Sequence, residues 1–92
     1  MTKGMIIVNP SSGREKAGVY SNKLQKQLET TYTELTIKQT EKAGDAKAFA
    51  KEAALKNYEA VFTIGGDGTV SEAVNGLMLH ESKTTLGIIP TG

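Results

Sequence analysis

The sequence predicts a three-layer α/β fold, a parallel sheet in the order βαβαβαβ with helices on both faces. Short β-branched apolar runs alternate with longer stretches whose apolar residues recur every three or four positions. The connections between them are short, as right-handed crossovers between parallel strands require. At 92 residues without repeat, linker or low-complexity tract, the chain fits one small domain. A domain of that size buries only roughly 60–65% of the surface its unfolded form exposes, so strain is poorly tolerated.

Met5-Ile6-Ile7-Val8, between Gly4 and Asn9-Pro10, is continuously apolar and reads as a strand buried on both faces. From about Arg14 to Thr30, Tyr20, Leu24 and Leu28 fall four apart among Lys and Gln, an amphipathic helix. Glu34-Leu35-Thr36-Ile37-Lys38 alternates and suits a strand with one exposed face, near a sheet edge. Asp45 is expected to N-cap a second helix over Ala46 to Lys56, with Ala46, Phe49, Ala50 and Ala53 on one stripe. Glu59 to Ile64 is the third strand, and a third helix is expected just after Thr69, with Val70, Ala73, Val74 and Leu77 at helical spacing. Gly76 is expected to weaken that helix near its end. Thr84 to Ile89 is the fourth strand, ended by Pro90, which has no amide to pair.

Composition excludes several functions. Eleven Lys and Arg against ten acidic residues give a net charge of +1, too little to draw nucleic acid or an anionic membrane by field alone. There is no cysteine for a disulfide or thiolate metal site, and the single His80 rules out a multi-histidine one. The longest early apolar run is far short of the roughly 20 residues needed to span a bilayer, and a cytoplasmic location is expected.

In a parallel sheet every loop leaving the carboxyl end of a strand lies along one edge, where ligands bind. Those loops are Asn9-Pro10-Ser11-Ser12-Gly13, Gln39 to Gly44, Gly65-Gly66-Asp67-Gly68-Thr69, and Pro90-Thr91-Gly92, all rich in glycine, hydroxyls and small polar groups. The opposite connections, at 31–33, 57–58 and 80–83, carry longer side chains. Glycines in the third loop let the backbone approach a ligand and take φ above zero, so that successive amides can face one anion at a helix N-terminus. Asp67 would repel phosphate unless a divalent cation or a substrate hydroxyl lies between, so it is read as a direct or water-mediated Mg²⁺ contact. No lysine follows the glycines, which excludes a Walker A loop. Gly66-Asp67-Gly68-Thr69-Val70-Ser71 puts serine where a dinucleotide fingerprint needs its third glycine.

Bland readings exist for each piece. The glycine loop could be a tight strand-to-helix turn capped by Asp67 or Thr69, and Asn9 to Gly13 taken alone is turn chemistry. The agreement of several loops on one edge favours the binding reading. Thr40 could simply end a strand, and Arg14 either neutralises phosphate or faces water. Lys16, Lys23 and Lys26 read as a solvated helix face rather than a lipid contact, and His80 as an exposed loop residue. Glu72, one turn into the third helix, could support a cation's surroundings or cap free amides.

Four motifs, NPSSG after the first strand, GGDGT after the third, EAVNG in the following helix and IIPTG at the end, resemble the amino-terminal half of a diacylglycerol kinase catalytic domain of the bacterial soluble type. GGDGT is shared with NAD kinases, and phosphofructokinases carry a close relative; NPSSG favours the lipid and sphingosine kinase branch. The resemblance covers essentially the whole chain and implies the amino-terminal part of a diacylglycerol kinase/NAD kinase-like fold. Two departures stand out. Ser71 replaces a common Asn, and the family's last motif continues with Thr and Asn-Asp beyond Gly92.

The resemblance therefore implies an amino-terminal nucleotide-binding domain over residues 1–92, with a β-rich second domain and the general base beyond it, and no activity from the 92 residues alone. It implies ATP and Mg²⁺ as cofactors, transfer of the γ-phosphoryl to diacylglycerol or a related lipid hydroxyl, peripheral membrane contact at the inner face in the full protein, and no nucleic-acid partner. It leaves a homodimer open. Nucleotide contacts would fall on Asn9, Ser12, Gly13, Thr40, Gly65, Gly66, Asp67, Gly68 and Thr69, with Glu72 nearby and Asp67 most needed for Mg²⁺-ATP chemistry. An NAD kinase-like enzyme and a non-catalytic nucleotide-binding module are the competing readings.

Overall fold

The computed structural model describes residues 2–10, 15–79 and 83–90. Its elements are β1 (Lys3–Val8), α1 (Glu15–Leu28), β2 (Glu34–Gln39), α2 (Asp45–Leu55), β3 (Ala60–Gly65), α3 (Asp67–Met78) and β4 (Thr85–Pro90). All strand pairs are parallel, in the order β2-β1-β3-β4. The predicted βαβαβαβ architecture is the observed one, and the alternating strand β2 sits at the sheet edge.

The sheet has unlike faces. Ile6, Val8 and Ile64 point to one side, where Ala17 and Leu24 of α1 bury against them and Tyr20 and Leu28 close the layer. Met5, Ile7 and Val61 point to the other, against Ala46, Ala50 and Ala53 of α2 and Ala73 of α3. The central strands β1 and β3 are thus sandwiched between helices, which is why their sequences are apolar without alternation. Each fully buried aliphatic chain here is worth about 1.5–3 kcal/mol.

The helices α2 and α3 approach unusually closely. A Cβ built on Gly76 would lie 2.3 Å from the Lys47 carbonyl oxygen and 2.9 Å from the Ala50 Cβ. Gly76 is therefore not a weak point in α3 but the contact that lets α2 lie against it. The buried stripe of α3 is Thr69, Ala73 and Gly76, rotated from the expected Val70, Val74 and Leu77, which are half-buried. Small residues face small residues across this seam, so backbone rather than side chain sets the helix separation.

The start of α2 differs from expectation, and its end does not. Asp45 is the first residue of α2, not its cap; Gly44 takes the cap position with φ 93° and no side-chain bond. The Asp45 carboxylate instead accepts the amides of Glu41 and Lys42, at 2.8 and 3.1 Å, and folds the preceding loop back on itself. At the other end, Asn57 takes φ 58°, and the amides of Asn57 and Tyr58 return to the carbonyls of Ala54 and Ala53. That is a Schellman closure, with Asn in the left-handed position that glycine more often fills.

Candidate nucleotide site

Because all four strands run the same way, Asn9, Thr40 and the Gly65-Gly66 turn leave the sheet along one edge. In the order β2-β1-β3-β4 the connection after β1 runs outward to β2 and the one after β3 runs the other way to β4, so a topological switch point, where ligands bind in such sheets, lies between β1 and β3. The Asn9 amide donates to the Ile64 carbonyl at 2.9 Å, and the Thr40 amide donates to the Val8 carbonyl at 2.8 Å. These bonds extend the ladder just past the strands and fix both loops at their roots.

A cleft of about 530 Å³ lies between these loops. Asn9, Thr40, Thr69 and Glu72 line it, as expected, and Glu41 and Lys42 join them. Those two charged residues look like ordinary solvated loop positions in the sequence; their link to the cleft is Asp45, whose carboxylate also pairs with Lys42 at 3.5 Å. The Glu41 amide, followed by the amide and ammonium of Lys42, holds the Asp45 carboxyl below its ordinary 3.8 against the opposing pull of desolvation.

Gly65 closes the floor. A Cβ there would stand 2.7 Å from Thr69 Oγ1 and 3.3 Å from the Asn9 Cβ, and Asn9 Nδ2 donates to that same Thr69 oxygen at 3.5 Å. Thr69 is buried at 6% exposure, so its hydroxyl welds the loops after β1 and β3. Helix α3 begins at Asp67 rather than after Thr69, with Gly66 as its extended cap at φ −91°. Gly65 and Gly68 likewise avoid positive φ, so left-handed backbone does not explain the motif's glycines, and close packing explains only Gly65.

No side chain caps α3, and the first bond back to the cap residue is from the Val70 amide to the Gly66 carbonyl, at 3.2 Å. The amides of Asp67, Gly68 and Thr69 precede that bond and have no partner within the helix, at the positive end of its dipole. Neither Asp67 nor Thr69 acts as the cap that a plain turn would use. Gly66, Asp67 and Gly68 are exposed beside the cleft rather than in its wall, and Asp67 makes no ion pair with any described residue. Ser12, Gly13, Arg14, His80, Thr91 and Gly92 lie outside the described residues, as does the Lys16 side chain.

The donor set fits a hard cation only as part of a shared shell. No group of three His, Asp or Glu side chains converges among the described residues. The Glu72 and Asp45 carboxylates already hold backbone amides. Asp67 and Glu41 carry the carboxylates left over among the described residues at the cleft, and one carboxylate completed by phosphate and water oxygens is how Mg²⁺ is commonly bound.

A larger concavity of about 1040 Å³ opens at the opposite end of the sheet, around Tyr32, Asn57, Tyr58, Phe62 and Lys83. Helix α2 ends beside it, just before Asn57, so its carbonyl end disfavours anions there, whereas α2 and α3 both start on the side of the smaller cleft. Dipole direction, not volume, favours the smaller one for an anionic ligand.

The model of the diacylglycerol kinase catalytic domain matches residues 3–92. The chain belongs to that family. It is 46% identical over 92 residues to a protein of Streptococcus pneumoniae serotype 4 provisionally named a lipid kinase, covering all of this chain and 31% of that protein. It is 41% identical to a diacylglycerol kinase of Bacillus subtilis, again over the whole chain and 30% of the relative. A crystal structure of a Bacillus anthracis diacylglycerol kinase superposes with a TM-score of 0.85 at 38% identity, over 98% of this chain and 33% of that one. The chain thus spans about a third of the length of these relatives. No helix among the described residues is long and apolar enough to cross a membrane.

Proposed function

We propose that this chain is the ATP-binding part of a lipid kinase that transfers the γ-phosphoryl of Mg²⁺-ATP to diacylglycerol or a related lipid hydroxyl, giving phosphatidic acid from diacylglycerol. One observation carries the reading: the uncapped first turn of α3, with Asp67 exposed on it, opens beside a cleft walled by Asn9, Thr40 and Thr69. Family membership and the names of the relatives support the same choice and favour a lipid acceptor over NAD.

The amides of Asp67, Gly68 and Thr69 offer donors to phosphate oxygens without needing to reorganise, and such fixed donors are the main lever in phosphoryl transfer. Asn9 and Thr40 orient the nucleotide from the wall across the cleft, with Ser12 and Gly13 of the same loop assigned to it by the family motif. Mg²⁺, held through Asp67, would neutralise charge on the transferring group. In the reaction the lipid hydroxyl oxygen bonds to the γ-phosphorus, the bond to the β,γ-bridging oxygen breaks, ADP leaves, and the hydroxyl proton passes to a base. The enzyme would act at the cytoplasmic face of the membrane as a peripheral protein.

The test is phosphoryl transfer by the intact protein from labelled Mg²⁺-ATP, with diacylglycerol in mixed micelles and NAD offered in parallel. Labelled phosphatidic acid is expected, with a loss of at least about a hundredfold in Asp67→Ala. Labelled NADP would move the protein to the NAD kinases, and an Asp67→Ala enzyme at wild-type rate would sink the site assignment.

A further inference from the structure

The loop between β2 and α2, residues 40–44, forms one wall of the cleft and is pinned in three places. At its start the Thr40 amide bonds to the Val8 carbonyl. In its middle the Glu41 and Lys42 amides bond to the carboxylate of Asp45, the first residue of α2. At its end the Gly44 amide donates to Glu72 Oε1 at 3.0 Å, and Glu72 belongs to α3. Only this last bond ties the loop to the helix whose first turn carries the free amides.

The position of that bond matters. Gly44 caps α2 in the left-handed region, with φ 93° and its carbonyl accepting the Ala48 amide at 3.0 Å, and no described residue lies within 4 Å of where a Cβ would stand. Glu72 is half-buried one turn beyond Thr69, and its carboxylate spends an oxygen on a backbone amide instead of leaving both for a cation. Loss of the bond to Glu72 would let residues 41–44 shift relative to the amides at 67–69 and widen the cleft.

We propose that Glu72 is a positioning residue for the nucleotide: through the Gly44 amide it fixes the 40–44 loop against the first turn of α3, and it does so as a hydrogen-bond acceptor, not as a charge. The inference rests on the reading of the cleft as a nucleotide site. A carboxylate acting on Mg²⁺ or phosphate would need its charge, whereas a clasp needs only the oxygen.

Glu72→Ala and Glu72→Gln in the intact protein separate the two roles. Amide exchange at Gly44 without nucleotide reports the clasp, and KM for ATP against kcat reports its consequence. Glu72→Ala should speed exchange at Gly44 and raise KM for ATP about tenfold, with a smaller change in kcat. Glu72→Gln should recover most of both, because its amide oxygen can accept the same N–H. Gln behaving as badly as Ala would overturn the proposal in favour of a charge role, and unchanged Gly44 exchange in Glu72→Ala would remove the clasp itself. A wild-type protein that protects Gly44 but does not turn over ATP would instead overturn the kinase reading, and the role toward nucleotide would fall with it.

Discussion

Gly76 and Gly68 lie in the same helix, about two turns apart, and the space around them is opposite. At Gly76 a Cβ would run into the α2 backbone; at Gly68 it would meet nothing within 4 Å. The first glycine is demanded by the protein's own packing, in a seam of Ala46, Ala50, Ala53 and Ala73. Among the described residues, nothing demands the second. Alanine would be the better helix former there, so under the proposed nucleotide reading the glycine keeps the first turn of α3 open to a ligand.

Breaking the seam should have the largest effect. Gly76→Ala forces a methyl toward the Lys47 carbonyl, and overpacking of this kind costs about 3 kcal/mol, a large share of a small domain's total. Urea unfolding followed by circular dichroism should show the midpoint fall sharply, with nucleotide binding lost along with the fold. A midpoint within about 2 °C of wild type in a thermal scan would mean that α2 yields easily, and the contrast between the two glycines would collapse.

Gly68→Ala sharpens the same contrast from the other side. Stability should hold or rise by up to about 1 kcal/mol, because alanine replaces glycine at an exposed helical position. ATP affinity should nevertheless fall at least about tenfold, since the new methyl stands beside the amides that face phosphate. Titration calorimetry and a melting curve on one preparation would decide it. Unchanged affinity would leave Gly68 without a functional reason.

The legible parts of the molecule are those whose cause is local. Uninterrupted apolar runs announced β1 and β3, and the alternation of β2 announced an edge, because burial on two faces or one is written into successive residues. Asn9, Thr40 and Thr69 are legible as one cleft because parallel strands put the loops after them along one edge. The start of α3 was read late because glycine and aspartate are poor helix formers and a glycine cap leaves no side-chain signal. Gly76 was misread because its partner, the α2 backbone near Lys47, is remote in sequence. The facing stripes of Ala46, Ala50, Ala53 and Ala73 were the one available hint. The bond from Gly44 to Glu72 has no local signature at all.

Asp45 joins the two regions, standing at the head of the seam helix while holding the cleft loop, and it carries the smallest predicted effect. Its carboxyl sits below the ordinary 3.8, chiefly through the Glu41 amide. The folded form therefore binds its proton less readily than the unfolded chain. The stabilisation is fully present above pH 3.8 and is lost as pH falls through the lower folded value. Between pH 6 and pH 3, amide exchange at Glu41 and Lys42 should accelerate relative to the seam residues of α2, after correction for intrinsic rates. Asp45→Asn keeps an oxygen acceptor but removes the titration, so it should flatten that dependence while changing little at neutral pH. The Asp45 carboxyl followed by carbon-13 NMR gives the decisive number: titration at or above 3.8 in the folded protein would mean the loop is not held by its charge, and that the cleft wall depends on Thr40 and Gly44 alone.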